Sequence, residues 1–122
     1  MAKKTANPTH TKTECTEMLL PVRDALDIIS GRWKLPIITA LMFGNKRFTQ
    51  ISKEVHGITD RMLSKELKEL ELNQLIKRTV YDAFPPVVEY SITPHGLSLG
   101  KVIVELRNWG KQHRKKIMEK AK

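Results

Sequence analysis

Residues 47–72, RFTQISKEVHGITDRMLSKELKELEL, constrain the fold more than any other part of the chain. They contain two amphipathic helical patterns that are separated by a short segment with a glycine. In the first pattern, Phe48, Ile51 and Val55 follow the spacing i, i+3 and i+7, which is typical of one face of a helix. Residues 56–58 interrupt this spacing and predict a tight turn.

The second pattern predicts a helix over about 59–72. Thr59 is placed to cap it, because its hydroxyl can accept from the free N–H groups of the first turn. The predicted apolar stripe contains Met62, Leu63, Leu67, Leu70 and Leu72. The opposite face carries Asp60, Arg61, Ser64, Lys65 and Lys68. This layout is that of a helix-turn-helix, although an ordinary helical hairpin in an all-α domain would give the same local pattern.

The residues after Asn73 favour the helix-turn-helix. Residues 75–81 and 87–92 are rich in β-branched side chains and predict two strands. The proline-rich segment 82–86 between them is too long for a two-residue hairpin loop. Two strands directly after a recognition helix form a wing, here over about 75–92, and a helical hairpin does not account for them.

The N-terminal half predicts a flexible arm over residues 1–13, followed by one domain over 14–118. Pro21 suits the first turn of a helix that runs to Ser30, and Gly31 ends that helix. Residues 35–42 are nearly all apolar and predict the buried helix. Residues 46–48 predict a strand of one or two residues.

Thr93 and Pro94 predict the start of a long last helix, as N-cap and first-turn proline. Its apolar stripe is wider than so small a domain can cover, which predicts dimerisation through the terminal helices. The candidate interface residues are Leu99, Ile103, Leu106 and Trp109. Packing of this helix back onto its own domain is the alternative.

The charge of the chain indicates a polyanionic partner. Lys and Arg number 22 and Asp and Glu 13, so the net charge is +9, which favours nucleic acid first and an anionic membrane surface second. Residues 46–68 contain six basic side chains (Lys46, Arg47, Lys53, Arg61, Lys65, Lys68) and three acidic ones (Glu54, Asp60, Glu66). No apolar run reaches the roughly 18–20 residues of a membrane span, and the polar N-terminus lacks a secretory signal. These features predict a cytoplasmic protein.

An enzyme is not expected. The sequence has no glycine-rich phosphate loop, no metal-spaced histidines and no Ser/His/Asp arrangement, so neither a cofactor nor a metal is predicted. Cys15 is the only cysteine, which excludes an intrachain disulfide. A winged helix that binds another protein instead of DNA is the second rival, and it predicts few outward cations on the recognition helix.

Several motifs together resemble the HxlR-type family of bacterial winged helix-turn-helix transcription regulators, which is close in fold to the MarR group. They are Gly31-Arg32-Trp33-Lys34, Arg47-Phe48, Met62-Leu63-Ser64, Leu67-Lys68-Glu69-Leu70-Glu71 and Val88-Glu89-Tyr90, with Thr93 and Gly96. The similarity covers about residues 21–109. It implies a homodimer that binds double-stranded DNA, each subunit placing its recognition helix in the major groove and its wing on the neighbouring backbone or minor groove.

The expected DNA contacts are Thr59, Asp60, Arg61, Ser64, Lys65 and Lys68 on the recognition helix, and Lys77, Arg78 and Tyr81 on the wing. Arg61 is the best candidate for a base contact, because its planar fork can donate twice to guanine, although it could instead bind phosphate. Lys65 and Lys68 suit phosphate, and Asp60 suits helix capping. Strand alternation cannot point all three wing side chains outward.

The sequence departs from the family at one position. Many members carry a cysteine directly before the proline of the first helix, and in some this cysteine senses electrophiles or oxidants. Leu20 occupies that position here, and Cys15 lies five residues upstream. Cys15 is therefore the remaining candidate for a redox sensor, and the effector, whether a small molecule or an oxidant, stays open.

Overall fold

Helices and one antiparallel β-hairpin make up residues 12–121, the part of the chain that the structure, a computed structural model, describes. The elements in chain order are α1 (Lys12–Ile29), α2 (Lys34–Met42), α3 (Phe48–Glu54), α4 (Asp60–Leu72), β1 (Ile76–Tyr81), β2 (Val87–Ile92), α5 (Pro94–Leu97) and α6 (Gly100–Ala121). The predicted fold class, mainly α with a small β-hairpin wing, is confirmed.

The core lies between α2, the two helices of the helix-turn-helix and the base of the hairpin. The largest fully buried side chains are Ile37, Ile38, Leu41, Ile51, Leu63, Leu67, Leu70 and Leu75. Burial of an aliphatic side chain of this size contributes roughly 1.5–3 kcal/mol. Because α4 supplies three of these residues, its orientation is set by the centre of the core.

The hairpin pairs in register from Ile76 opposite Ile92 to Tyr81 opposite Val87. A short bridge extends this sheet, because the Lys46 N–H donates to the Tyr90 carbonyl (2.9 Å) and the Tyr90 N–H donates to the Lys46 carbonyl (2.8 Å). The strand predicted over 46–48 is therefore confirmed as a single bridged residue. It ties the chain before α3 to the wing.

The first helix is longer than the sequence predicted. Pro21 lies inside α1 and not in its first turn, since the helix begins at Lys12. Glu14 in the first turn suits the positive end of the helix dipole, and the Thr16 hydroxyl donates to the Lys12 carbonyl (2.9 Å). Residues 1–11 of the predicted flexible arm lie outside the described residues, whereas Lys12 and Thr13 are helical.

The predicted last helix is in fact two helices. The Thr93 hydroxyl caps α5 by accepting from the Gly96 N–H (2.9 Å), as expected, but this helix ends after one turn and α6 begins at Gly100. Gly96 is buried, and a Cβ there would overlap the carbonyl oxygen of Leu75. The close approach of Gly96 to Leu75, which lies between α4 and β1, therefore fixes where α5 lies.

The terminal helices expose much of their apolar surface. On α1 the exposed residues are Met18, Leu19, Leu20, Val22 and Leu26, and on α6 they are Val102, Val104, Leu106, Trp109, Ile117 and Met118. Leu99 and Ile103 differ, because they are half-buried against the core. None of the helices within residues 12–121 is long and apolar enough to cross a membrane.

Candidate nucleic-acid interface

The turn before α4 has the geometry that its sequence predicts. Gly57 adopts a φ of 88°, which a side chain would oppose, and Ile58 turns inward and is buried. The Thr59 hydroxyl then accepts from the Met62 N–H at 3.1 Å and caps the helix. The predicted start of the recognition helix is therefore confirmed.

The N-terminal half of α4 presents its polar residues to solvent. All six residues expected to contact DNA on this helix are exposed: Thr59, Asp60, Arg61, Ser64, Lys65 and Lys68. Leu63, Leu67 and Leu70 on the opposite side are at most 1% exposed. Leu72, however, was placed in the buried stripe by the sequence and is 77% exposed, because the helix ends at this residue beyond the edge of the core.

The cations on this face differ in their surroundings. Within residues 12–121, no acceptor engages the side chains of Arg61 and Lys68. Lys65 lies 4.0 Å from a carboxylate oxygen of Glu69, one turn along the helix. Asp60 points back toward α3, with its Oδ1 3.5 Å from the Ser52 hydroxyl. The face is thus basic at Arg61, Lys65 and Lys68, and its one acidic group lies next to the turn.

The wing places Lys77 and Arg78 in solvent on β1. Tyr81 is also exposed, but its hydroxyl donates to Glu89 on the paired strand (3.1 Å). The pKa of Tyr81 is raised, mainly by this hydrogen bond and to a lesser extent by the negative charge of Glu89. The Asn45 amide donates to the same carboxylate oxygen (3.4 Å). All three wing residues are thus exposed, so the prediction that strand alternation would turn at least one of them inward is wrong, because both faces of this hairpin reach solvent at Lys77 and Arg78. Tyr81 nevertheless has a structural partner on the paired strand.

A cluster of three charged residues joins α2 to α4. The Lys34 ammonium lies 2.7 Å from Glu66 Oε1 and 2.9 Å from Glu69 Oε1. The side chains of Lys34 and Glu66 are only 14% and 11% exposed. Burial alone would lower the pKa of Lys34, but hydrogen bonds and attraction from both carboxylates outweigh it and leave this pKa raised. The hydrogen bond from Lys34, and then its charge, lowers the pKa of Glu69.

Comparison with known proteins assigns these features to a family. Residues 28–118, most of the chain, match the family model of the HxlR-like helix-turn-helix. The chain belongs to the HxlR-like family. It is a transcriptional regulator with a helix-turn-helix DNA-binding domain, and its matched region contains the recognition helix, the wing and most of α6.

Relatives of known sequence and structure agree with this HxlR-like assignment. The chain is 43% identical over 97 residues to YdeP of Bacillus subtilis strain 168, an uncharacterised HTH-type transcriptional regulator, covering 80% of this chain and 76% of YdeP. A MarR-family transcriptional regulator from Enterococcus faecalis V583 superposes with a TM-score of 0.74 at 32% identity, over 92% and 96% of the two chains. The redox regulator HypR in its reduced form superposes with a TM-score of 0.72 at 38% identity, over 77% and 93%.

Sequence reasoning missed the Lys34 cluster of this HxlR-like domain. One signal was present, because Glu66 falls between Leu63 and Leu67 on the apolar stripe of α4. An acidic residue at a core position needs a buried partner. The sequence alone does not show which of its many cations is that partner, since Lys34 lies on another helix.

The structure also changes the count of cations available to a ligand. Lys46 is one of the six basic residues in 46–68, but its ammonium lies 3.0 Å from a Glu54 carboxylate oxygen and its side chain is 15% exposed. Lys46 therefore joins the last residue of α3 to the chain segment that is bridged to the sheet. Cys15, the candidate redox sensor, is exposed on α1 and lies outside the region that matches the family model.

Proposed function

We propose that this HxlR-like regulator is a homodimer that binds specific double-stranded DNA sequences in the cytoplasm, with α4 in the major groove and the wing on the backbone or minor groove. One observation carries the proposal. The N-cap Thr59 and five polar residues between Asp60 and Lys68 of α4 are all exposed, on the side opposite three leucines that are at most 1% exposed. A helix that is held by its apolar side and free on its basic side fits the major groove.

The side chains on the exposed face of α4 suit two kinds of DNA contact, one to a base and the others to phosphates. Arg61 is exposed near the start of α4, where its planar fork can donate twice to O6 and N7 of guanine. Lys65 and Lys68 are one and two turns further along and are compact charges suited to phosphate. The positive N-terminal end of the helix favours the same anions. Lys77 and Arg78 extend this basic surface onto the wing.

Dimerisation is proposed to occur through α6 and α1. Leu106 and Trp109 are 47% and 68% exposed, and Leu20 and Leu26 on α1 are 50% and 51% exposed. So many exposed apolar residues on two long helices are typical of an interface. A two-fold axis through it would present two recognition helices to half-sites about one turn of DNA apart, 34–36 Å.

The experiment that tests this function compares Arg61→Ala with Lys68→Ala on a pool of random duplexes. If Arg61 contacts a base, its variant should bind the preferred site more weakly by roughly 1–3 kcal/mol and accept other bases at one position. Lys68→Ala should weaken all sequences by a similar factor, as a phosphate contact does. An equal loss on every sequence for Arg61→Ala would make Arg61 a backbone contact.

A response to oxidants through Cys15 is a second proposal, favoured by its exposed thiol on α1 next to the proposed interface. An oxidant such as diamide would convert two Cys15 thiols of paired chains into one disulfide and would itself take up the two protons and two electrons. Non-reducing electrophoresis of the protein and of Cys15→Ser tests this. A crosslinked band that persists in Cys15→Ser, or no band in the wild type, would contradict it.

A further inference from the structure

The tip of the wing carries a fully exposed aromatic side chain. The last strand pair is Tyr81 with Val87, and the residues between them form the turn. Phe84 stands at the middle of this turn with 103% of its reference area exposed, more than any other large apolar side chain within residues 12–121. An aromatic ring of this size gains free energy when it leaves water, and nothing in the described part of the chain covers it.

The other residues of the tip suit insertion into an apolar slot. Pro85 and Pro86 follow Phe84 and are exposed, and neither has a backbone N–H that would need a partner on burial. Their rings also restrict the backbone, so that little conformational freedom is lost when the tip is ordered by a ligand. Asp82 is the only charged residue of the tip, and it lies beside the end of β1. The tip therefore carries no positive charge that would attract it to phosphates.

The position of the tip relative to the basic surface points to DNA. Lys77 and Arg78 lie on β1, on the same hairpin as Phe84 and exposed. A strand rises about 3.3 Å per residue, so the four steps of β1 from Lys77 to Tyr81 span about 13 Å, and Phe84 lies three residues further, in the turn. The tip therefore projects beyond the two cations by more than the depth of the minor groove, about 7.5 Å.

We propose that Phe84 is an apolar wedge that the wing inserts into the minor groove, between two stacked base pairs, and that it bends the bound duplex. Proteins that bend DNA in this way use phenylalanine, leucine or proline as the inserted group, and the kink is about 20–90°. The two cations on β1 hold the hairpin against phosphates while the uncharged tip enters the groove. This proposal rests on the DNA-binding function proposed above and adds a residue that reads how easily a base step unstacks.

An apolar surface on another protein is the alternative occupant of the tip. The basic residues on the same hairpin and on α4 favour DNA, since an apolar protein surface gains nothing from Lys77 and Arg78 beside it. The minor groove meets both requirements, with phosphates at its edges and stacked bases at its floor. The two occupants differ in what removal of Phe84 does to the shape of bound DNA.

The experiment uses the full chain and a duplex that the wild-type protein recovers from a random pool. Dyes at the two ends of the duplex report bending by energy transfer, and 2-aminopurine at single positions reports unstacking. Phe84→Ala should weaken binding about tenfold or more, lose most of the bend and lose the 2-aminopurine signal, as expected when a buried phenyl group is removed. Phe84→Leu should keep most of both signals, because leucine also serves as a wedge.

Leu72→Ala is the matched control, because it removes another exposed apolar side chain (77%) at the far end of α4. It should change neither the affinity nor the bend. If Phe84→Ala binds and bends the duplex as the wild type does, the wedge is wrong and the DNA-binding function stands. The same holds if affinity falls while the bend is unchanged. If the wild-type protein recovers no duplex, the function and the wedge fail together.

Discussion

Helices α4 and α6 are both amphipathic, but the apolar side of α4 is buried and much of the apolar side of α6 is exposed. Leu63, Leu67 and Leu70 of α4 are at most 1% exposed, whereas Leu106 and Trp109 of α6 are 47% and 68% exposed. Helix α4 is surrounded by its own domain. Helix α6 continues past the domain after Ile103, the last of its apolar residues that packs against the core. An apolar stripe on a helix therefore does not show by itself whether the same domain covers it.

The difference also separates two tasks within the regulator. Core packing on one side and the Lys34 cluster at its second half hold α4 in one orientation, so its basic face is presented rigidly. The terminal helices leave their apolar surface exposed, which is the surface that the proposed dimer would bury. In the proposed complex, α4 would contact DNA and the terminal helices would set the spacing between the two copies of α4.

The largest expected effect comes from opening the core beneath α4. Leu67→Ala should lower the free energy of unfolding by about 2–5 kcal/mol, because it leaves a cavity where a side chain was 1% exposed. Leu72→Ala on the same helix should stay within about 0.5 kcal/mol of the wild type. Urea unfolding followed by circular dichroism measures both. Equal losses in the two variants would remove the contrast between the buried and exposed sides of α4.

The next largest effect tests the exposed side of α6. Trp109→Ala should weaken the dimer by about 2 kcal/mol or more, roughly thirtyfold in Kd, since exposed tryptophans at interfaces are frequent hot spots. Its helix content should be unchanged. Sedimentation equilibrium gives the dissociation constant, with Leu72→Ala as the control. A wild-type protein that sediments as a monomer of 14.0 kDa would refute the interface.

A smaller effect is expected from the charged cluster. Lys34→Met should lower the free energy of unfolding by about 1–2 kcal/mol, because Glu66 keeps a nearly buried carboxylate without its partner. Lys65→Met removes an exposed cation at 4.0 Å from Glu69 and should change stability by less than about 0.5 kcal/mol. A stability loss from Lys65→Met that equals the loss from Lys34→Met would contradict the cluster.

The smallest effect is the pH dependence of that cluster. The pKa of Glu69 is lowered, so its contribution is present above the ordinary glutamate value of 4.5 and is lost as pH falls through the lowered pKa. The pKa of Lys34 is raised, so its contribution is present below 10.5 and is lost as pH rises through the raised pKa. The stability difference between wild type and Lys34→Met should therefore be level between these limits and shrink outside them. A difference independent of pH would contradict this assignment.

Local signals in the sequence predicted much of the fold and the exposed polar side of α4. Thr59 and Thr93 mark helix starts through bonds to residues three positions away, so each cap is visible in a few letters. The alternation of leucines and charges in α4 likewise predicted its exposed residues. Pro21 misled because proline usually begins a helix, whereas α1 accepts it in its interior.

Features that depend on distant residues could not be predicted. Lys34 and Glu66 are brought together only by the packing of α2 on α4, and no local pattern relates them. The exposure of Leu72 follows from where the core ends, and the position of α5 follows from the close approach of Gly96 to Leu75. Each of these needs the tertiary arrangement first.

The proposed phosphate contacts are tested most directly by the affinity for duplex DNA as a function of salt concentration. If Arg61, Lys65, Lys68 and the wing cations of a dimer displace counterions from phosphates, log K should fall linearly with log salt, with a slope of about −0.9 for each phosphate contacted. Lys68→Ala should make this slope less negative by roughly one for each contact it removes. Binding that does not depend on salt would contradict the proposed phosphate contacts.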